Sequence, residues 1–257
     1  MPPILDVSNL GISFGGLQAL DDFNIQVMNK EIVGLIGPNG AGKTTVFNLL
    51  TNVYRPTRGS INLDGSNTQG KAIHAVNNSG IARTFQNIRI FKDLPVIDNV
   101  KIALHNSLRY TLAEAVLRLP SYWKEEKQAT QKALELLSVF NMQGLAKEKA
   151  GSLPYGAQRR LEIVRALATQ PKVLLLDEPA AGMNPSETQA LLETIRGIRS
   201  DFDVAIILIE HDMALVMGIC ERILVLNYGL IIAHGTPEEI KNNPTVIEAY
   251  LGQQRSE

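Results

Sequence analysis

The residues best suited to chemistry begin at Gly37. The run Gly37-Pro38-Asn39-Gly40-Ala41-Gly42-Lys43-Thr44 combines three glycines with a lysine and a hydroxyl. A polyphosphate carries crowded negative charge, and backbone N–H groups approach it only where side chains are absent. Gly37, Gly40 and Gly42 permit that approach. Lys43 would place a point charge on the β- and γ-phosphates, and the Thr44 hydroxyl can ligate Mg²⁺. Through Thr45 the whole stretch is expected to line the phosphates. A second group closes the run Val173-Leu174-Leu175-Leu176-Asp177-Glu178-Pro179. An apolar strand ending in two carboxylates sets them at the carboxyl edge of a sheet, where open α/β folds bind ligands. Asp177 would hold the Mg²⁺ shell and Glu178 would polarise an attacking water. The plainer alternatives are a glycine-rich turn with a chance lysine, and two carboxylates that cap the next helix.

The elements that must position these groups follow from patterning. Ile4–Leu10 and Leu17–Val27 read as strands about a Gly15-Gly16 turn. Glu31–Ile36 is a short apolar strand leading into the glycine loop. A helix then starts near Gly42, with Val46, Phe47, Leu49 and Leu50 on its apolar face. Arg55–Gly59 is a turn, and Ser60–Leu63 and Ile81–Phe85 are strand-like. From Val96 to Ala168 the pattern is mostly helical. Strands return at Val173–Asp177, Val204–Ile209, Arg222–Leu226 and Leu230–His234, with a helix at Pro185–Ile198. Short helices at Pro237–Lys241 and Pro244–Leu251 precede a polar tail. The expectation is one α/β domain over 1–257, a parallel-sheet core with an inserted helical unit at about 90–165 and a helical tail at about 237–257.

Composition narrows the classes. A chain of 257 residues buries roughly 70–75% of its unfolded surface and needs no staple. Lys plus Arg is 25 against 26 Asp plus Glu, which gives no general attraction to nucleic acid. The single cysteine, Cys220, excludes an intrachain disulfide and fits a reducing compartment. No run of eighteen apolar residues occurs, so a membrane role requires partners.

With both motifs in place, the chain from about Ile4 to Leu251 resembles an ABC ATPase, a phosphate-loop cassette with an antiparallel β subdomain and a helical signature subdomain. The resemblance implies ATP and Mg²⁺. It implies that Gln86, in Thr84-Phe85-Gln86, senses Mg²⁺ and the γ-phosphate and links the site to the helical subdomain. It gives His211, in Glu210-His211-Asp212, contact with the γ-phosphate and the water, for which an imidazole is suited. Phe14 takes the place of an aromatic that stacks on adenine, although a core phenylalanine is the simpler reading. The segment Leu153-Pro154-Tyr155-Gly156-Ala157-Gln158 resembles the family signature, whose helix N-terminus faces nucleotide bound by another subunit. Tyr155 and Gly156 are the implied contacts. Pro154, Tyr155 and Ala157 replace the usual Ser, Gly and Gln. Asn184 replaces the usual Asp in Ala180-Ala181-Gly182-Met183-Asn184-Pro185, which weakens the expected side-chain contribution across the dimer.

The Tyr155–Ile163 segment, the Asp177–Pro185 segment and the end from His234 to Gly252 resemble ATPase subunits of branched-chain amino acid importers. The resemblance implies a permease, a second ATPase subunit (the same chain or a paralogue) and, indirectly, an extracytoplasmic solute-binding protein. No nucleic-acid partner is expected. It implies a peripheral place on the cytoplasmic face of the inner membrane. The stretch His105–Lys124 mixes Tyr110, Leu112, Val116, Leu117, Leu119, Tyr122 and Trp123 with Arg109, Arg118 and Lys124. It reads either as a surface near lipid or permease or as ordinary packing. The alternatives for the whole are a lipopolysaccharide-export ATPase and a soluble ABC protein of DNA repair or translation.

Overall fold

Strict alternation decides which way the central strands face. In β3 (Ile32–Ile36), Val33 and Leu35 turn to one side and Ile32 and Ile36 to the other, and all four are buried. Both faces of this sheet must therefore be covered. The computed structural model describes residues 2–105 and 110–251. Arg109, the side chain of Leu112, and Gly252 with the remaining tail lie outside the described residues.

Preceding β3 is a hairpin, β1 (Leu5–Phe14) and β2 (Leu17–Val27), and following it are α1 (Lys43–Leu50), β4 (Arg58–Leu63), β5 (Ser66–Asn67) and α2 (Ile73–Ser79). Strands β2, β1, β4 and β5 form an antiparallel sheet in that order. Together with α1 it covers one face of the central sheet through Phe23, Ile61, Val46, Phe47 and Leu50. Strand β1 runs four residues past the expected Leu10, and Gly11 pairs with Arg58, so β4 starts at Arg58 rather than Ser60. Helix α2 has no counterpart in the sequence reading because Val76 is its only buried residue, which leaves no apolar periodicity to detect.

The second half supplies β6 (Ile81–Arg83), α3 (Val96–Leu104), α4 (Leu112–Val116), α5 (Pro120–Val139), α6 (Tyr155–Ala168), β7 (Val173–Asp177), α7 (Pro185–Asp201) and β8 (Ala205–Ile209). It ends with α8 (Met213–Ile219), β9 (Arg222–Asn227), β10 (Leu230–Gly235), α9 (Pro237–Lys241) and α10 (Pro244–Leu251). The central sheet has the order β10-β9-β3-β8-β7-β6, parallel except for the edge hairpin β9–β10. Helices α3, α5 and α6 pack on one another through Val100, Leu137 and Leu161, and this cluster is continuous with the second face of the sheet. In the His105–Lys124 stretch, Tyr110 and Tyr122 stack edge-on at 5.2 Å. Val116, Leu117 and Trp123 remain 72%, 68% and 56% exposed, so ordinary packing does not account for them.

Helix α7 begins where Asn184 replaces the expected aspartate. Its Oδ1 accepts from the Glu187 N–H at 3.0 Å, and Glu187 Oε2 accepts from the Asn184 N–H at 3.0 Å, a reciprocal capping box. An amide oxygen caps as well as a carboxylate. Replacement Asn184→Ala is expected to lower stability by about 1 kcal/mol in urea unfolding, whereas Asn184→Asp stays within a few tenths of a kcal/mol of the parent. Equal losses in the two variants would contradict the cap.

Candidate active site

The glycine loop joins β3 to α1 under two constraints. Gly37 has φ 149°, and a Cβ there would fall 2.0 Å from the Leu226 carbonyl oxygen. Only glycine fits such an approach. The loop is braced from β9–β10, where the Gly229 N–H donates to the Ala41 carbonyl at 2.9 Å. Gly42 is the N-cap of α1, in the left-handed region at φ 106°, and no acidic residue occupies the first turn. The positive end of α1 is thus left for an external anion. Pro38 and Ala41 are buried, Asn39, Gly40 and Thr44 are exposed, and Thr45 is half-buried.

Lys43 is buried at 7% exposure, and its Nζ donates to the carbonyls of Gly37 at 2.7 Å and Pro38 at 2.9 Å. Desolvation lowers the pKa of this ammonium, and the charges of Glu178 and Asp177 push it back up. The carboxyl ends of β7 and the start of α1 therefore share one electrostatic site. The Tyr250 phenol of α10 lies against the same loop: burial raises its pKa and the Gly37 amide draws it back.

Asp177 ends β7, buried, with Oδ2 accepting from Arg83 Nη2 at 2.8 Å. Arg83 Nη1 donates to Asn48 Oδ1 of α1 at 2.6 Å, and its guanidinium lies 5.4 Å from the Phe47 ring and 5.3 Å from the Phe85 ring. Glu178 follows with φ 48°, a strained conformation for a glutamate, held by its N–H donating to the Ile209 carbonyl at 2.9 Å. Its Oε2 accepts from Gln86 Nε2 at 3.1 Å, and its Oε1 lies 2.7 Å from His211 Nε2. The fold thus gathers Gln86, Glu178 and His211 around one carboxylate, from the ends of β6, β7 and β8. The buried Glu210 accepts from the Ala180 N–H at 2.8 Å and the His211 N–H at 3.2 Å, which fixes the turns after β7 and β8 against each other. Burial raises the Glu210 pKa, and those backbone donors oppose the rise.

Phe14 is 45% exposed, with its ring edge-on to Tyr54 at 5.2 Å, so it is not a core phenylalanine. Tyr155 and Gly156 stand in a different group. A Cβ on Gly182 would lie 3.1 Å from the Tyr155 ring, and one on Gly156 would lie 2.6 Å from Glu187 Oε1. The start of α6 therefore abuts the start of α7. Among the described residues no group of three or more His, Cys, Asp or Glu gathers to hold a metal. Thr44, Gln86 and Asp177 offer hard oxygen donors, which suit Mg²⁺ when substrate phosphates complete its shell. Arg83, Glu210, Arg159 and Glu162 are site residues that sequence reasoning passed over. A usable signal existed for Arg159 and Glu162, since an Arg and a Glu at i,i+3 sit among apolar residues of α6.

A glycine loop closing over a buried lysine, with two carboxylates at the adjoining strand end and a helical unit packed beside them, defines an ATP-binding cassette. Comparison with known proteins agrees. The family described as "ABC transporter" matches residues 20–181, and that described as "Branched-chain amino acid ATP-binding cassette transporter" matches residues 231–255. The chain belongs to the ABC transporter ATP-binding family. Over 251 residues, 98% of each chain, it is 48% identical to the high-affinity branched-chain amino acid transport ATP-binding protein BraF of Pseudomonas aeruginosa. It is 47% identical over the same coverage to LivG of Escherichia coli, a protein of the same description. Identity to the lipopolysaccharide export system ATP-binding protein LptB of Haemophilus influenzae is 34%. The crystal structure of the ADP conformation of an ABC transporter cassette superposes with TM-score 0.85 at 28% identity, covering 98% of this chain and 100% of that one.

Gly37→Ala is expected to cost more than about 3 kcal/mol in thermal unfolding, because its Cβ meets fixed backbone. Gly40→Ala meets nothing within 4 Å and should cost only about 1 kcal/mol for its φ. Similar melting temperatures for the two variants would contradict the close approach at Leu226.

Proposed function

We propose that this chain hydrolyses ATP at the Gly37–Thr45 loop and couples the reaction to import of branched-chain amino acids or a related small solute. The observation that carries hydrolysis is the Glu178 carboxylate held between Gln86 and His211 beside the buried Lys43. In this reading Lys43 and the loop amides hold the β- and γ-phosphates, with Gly37, Pro38, Asn39, Gly40, Ala41, Gly42, Thr44 and Thr45 lining them. Phe14 stacks on the adenine. Bound Mg²⁺ would neutralise phosphate charge, with Thr44, Asp177 and Gln86 as the residues that hold it. Glu178 orients the attacking water and accepts its proton, and His211 keeps the carboxylate aimed and steadies the γ-phosphate. Tyr155 and Gly156 serve nucleotide bound to the second ATPase subunit.

The whole chain, 1–257, acts as one cassette, with the helical unit at about 90–165 facing the permease and α10, through Tyr250, bracing the loop. Among the described residues no helix is long and apolar enough to cross a membrane. Attachment to the cytoplasmic face would then come from permease subunits, and solute would be delivered by an extracytoplasmic binding protein. The import reading rests on the names of BraF and LivG at 48% and 47% identity, against 34% for LptB.

Glu178→Gln keeps the side chain's size and its hydrogen bonding but removes the charge that polarises water. Phosphate release should fall by roughly 10² or more, while ATP affinity stays within about threefold of the parent, since Lys43, Thr44 and Asp177 remain. Steady-state phosphate release paired with equilibrium ATP binding checks this. Near-parental turnover would withdraw the role of Glu178.

A further inference from the structure

The backbone that carries Gln86 is not held by the sheet. Strand β6 ends at Arg83, two residues before the expected Phe85, and the last ladder-like bond is from the Thr84 N–H to the Leu175 carbonyl at 2.9 Å. From Phe85 to Arg89 the main chain is held by three side chains of α6: Arg165 donates to the Arg89 carbonyl at its far end, and Arg159 and Glu162 hold the rest. Arg159, the largest fully buried side chain of the described residues, donates from Nη1 to the Phe85 carbonyl and from Nη2 to the Gln86 carbonyl at 2.7 Å. Glu162, also buried, accepts at Oε1 from the N–H groups of Phe85 at 3.3 Å and Arg89 at 3.1 Å. The two side chains close on each other through Arg159 Nη1 and Glu162 Oε2 at 2.9 Å. Arg159 Nη2 also reaches the Glu178 carbonyl at 3.4 Å.

We propose that the Arg159–Glu162 pair is a positioning clamp for hydrolysis, fixing the Gln86 turn, and through it the Glu178 carboxylate, to the signature helix. Stability is a poor reason for such a pair. Buried ion pairs seldom outperform apolar residues of the same volume, and Arg159 Nε is buried with no hydrogen-bond partner. What the pair supplies is geometry, because a planar guanidinium fork and a two-oxygen carboxylate together satisfy both the N–H and the C=O of Phe85. The same helix starts with Tyr155 and Gly156. A shift of α6 at its start, where the resemblance expects a second subunit's nucleotide, is therefore transmitted to Gln86 by rigid side chains rather than by a loose loop.

The clamp rests on the hydrolysis reading above, and its test separates the two. Three variants of the full chain are compared with the parent: Glu162→Gln, Arg159→Lys, and the pair Arg159→Met with Glu162→Leu. Each is read by kcat, KM and ATP affinity, and by hydrogen exchange at the amides of Phe85 and Arg89. The apolar pair should bind ATP within about threefold of the parent while kcat falls about tenfold or more, as a displaced catalytic geometry does. Exchange at Phe85 and Arg89 should rise by about tenfold or more, with the amides of β3 and β7 still protected. Glu162→Gln keeps the acceptor oxygen for the two amides but turns an amide NH2 toward Arg159, so kcat and protection should fall in the same direction and by less than in the apolar pair. Parental kcat in the apolar pair, or unchanged exchange at both amides, would overturn the clamp. If that variant does not fold, Arg159→Lys, which loses the fork but not the charge, decides by the same measures. A parent chain that releases no phosphate would remove the hydrolysis reading alone, since the exchange measurement needs no turnover.

Discussion

Burying one ammonium group under a loop of main chain is the constraint around which the site is arranged. Lys43 gives up water and receives two carbonyl oxygens, those of Gly37 and Pro38, in return. Those oxygens can reach it only because the loop curls back tightly, and the curl forces Gly37 against the Leu226 carbonyl. Two carbonyl dipoles do not replace full hydration. The remaining deficit is lessened by Asp177 and Glu178, whose charges favour the ammonium. The parallel sheet brings β7 beside β8, and β8 beside β3, so the two carboxylates and the lysine loop emerge at the same edge.

That edge also explains why so many polar groups can be buried near one another. Each charge has a partner from another element: Asp177 has Arg83, Arg83 also has Asn48 of α1, and Glu210 has the amides of Ala180 and His211. Such a network is stable only when nearly complete. Completeness requires β6, β7, β8, α1 and α6 to be in place together. The left-handed backbone at Glu178 is tolerated because the Ile209 carbonyl accepts its N–H from one side and its carboxylate is engaged from the other.

Much of this was readable in the chain. Val173–Asp177 has the length and apolar character of a doubly covered strand, and the glycine run has a strand before it and a helix after it, so both motifs could be placed at once. Helix α2 was invisible because one buried residue makes no period, and β1 was cut short because Gly11 follows Leu10, the pairing beyond it shifts register, and the last two residues, Ser13 and Phe14, are exposed. The partners of Asp177, Glu178 and Gln86 were illegible for a different reason. Arg83 and Glu210 look like ordinary charged residues at strand ends, and nothing local says that they point inward. Arg159 and Glu162 were hidden by the resemblance itself, which drew attention to the missing Ser and Gln of the signature rather than to the charges two turns along. Asn184, read as a weakened contact, caps a helix.

On the proposed reading, the buried ammonium of Lys43 meets the outer phosphates of a nucleotide. Calorimetric titration of the full chain with AMP, ADP and ATP in the presence of Mg²⁺ tests it most directly. Recognition at Lys43 and the loop amides predicts that ADP and ATP bind and that AMP, lacking a β-phosphate, binds at least about a hundredfold more weakly. Comparable affinity for AMP, or no binding of ATP, would contradict the account.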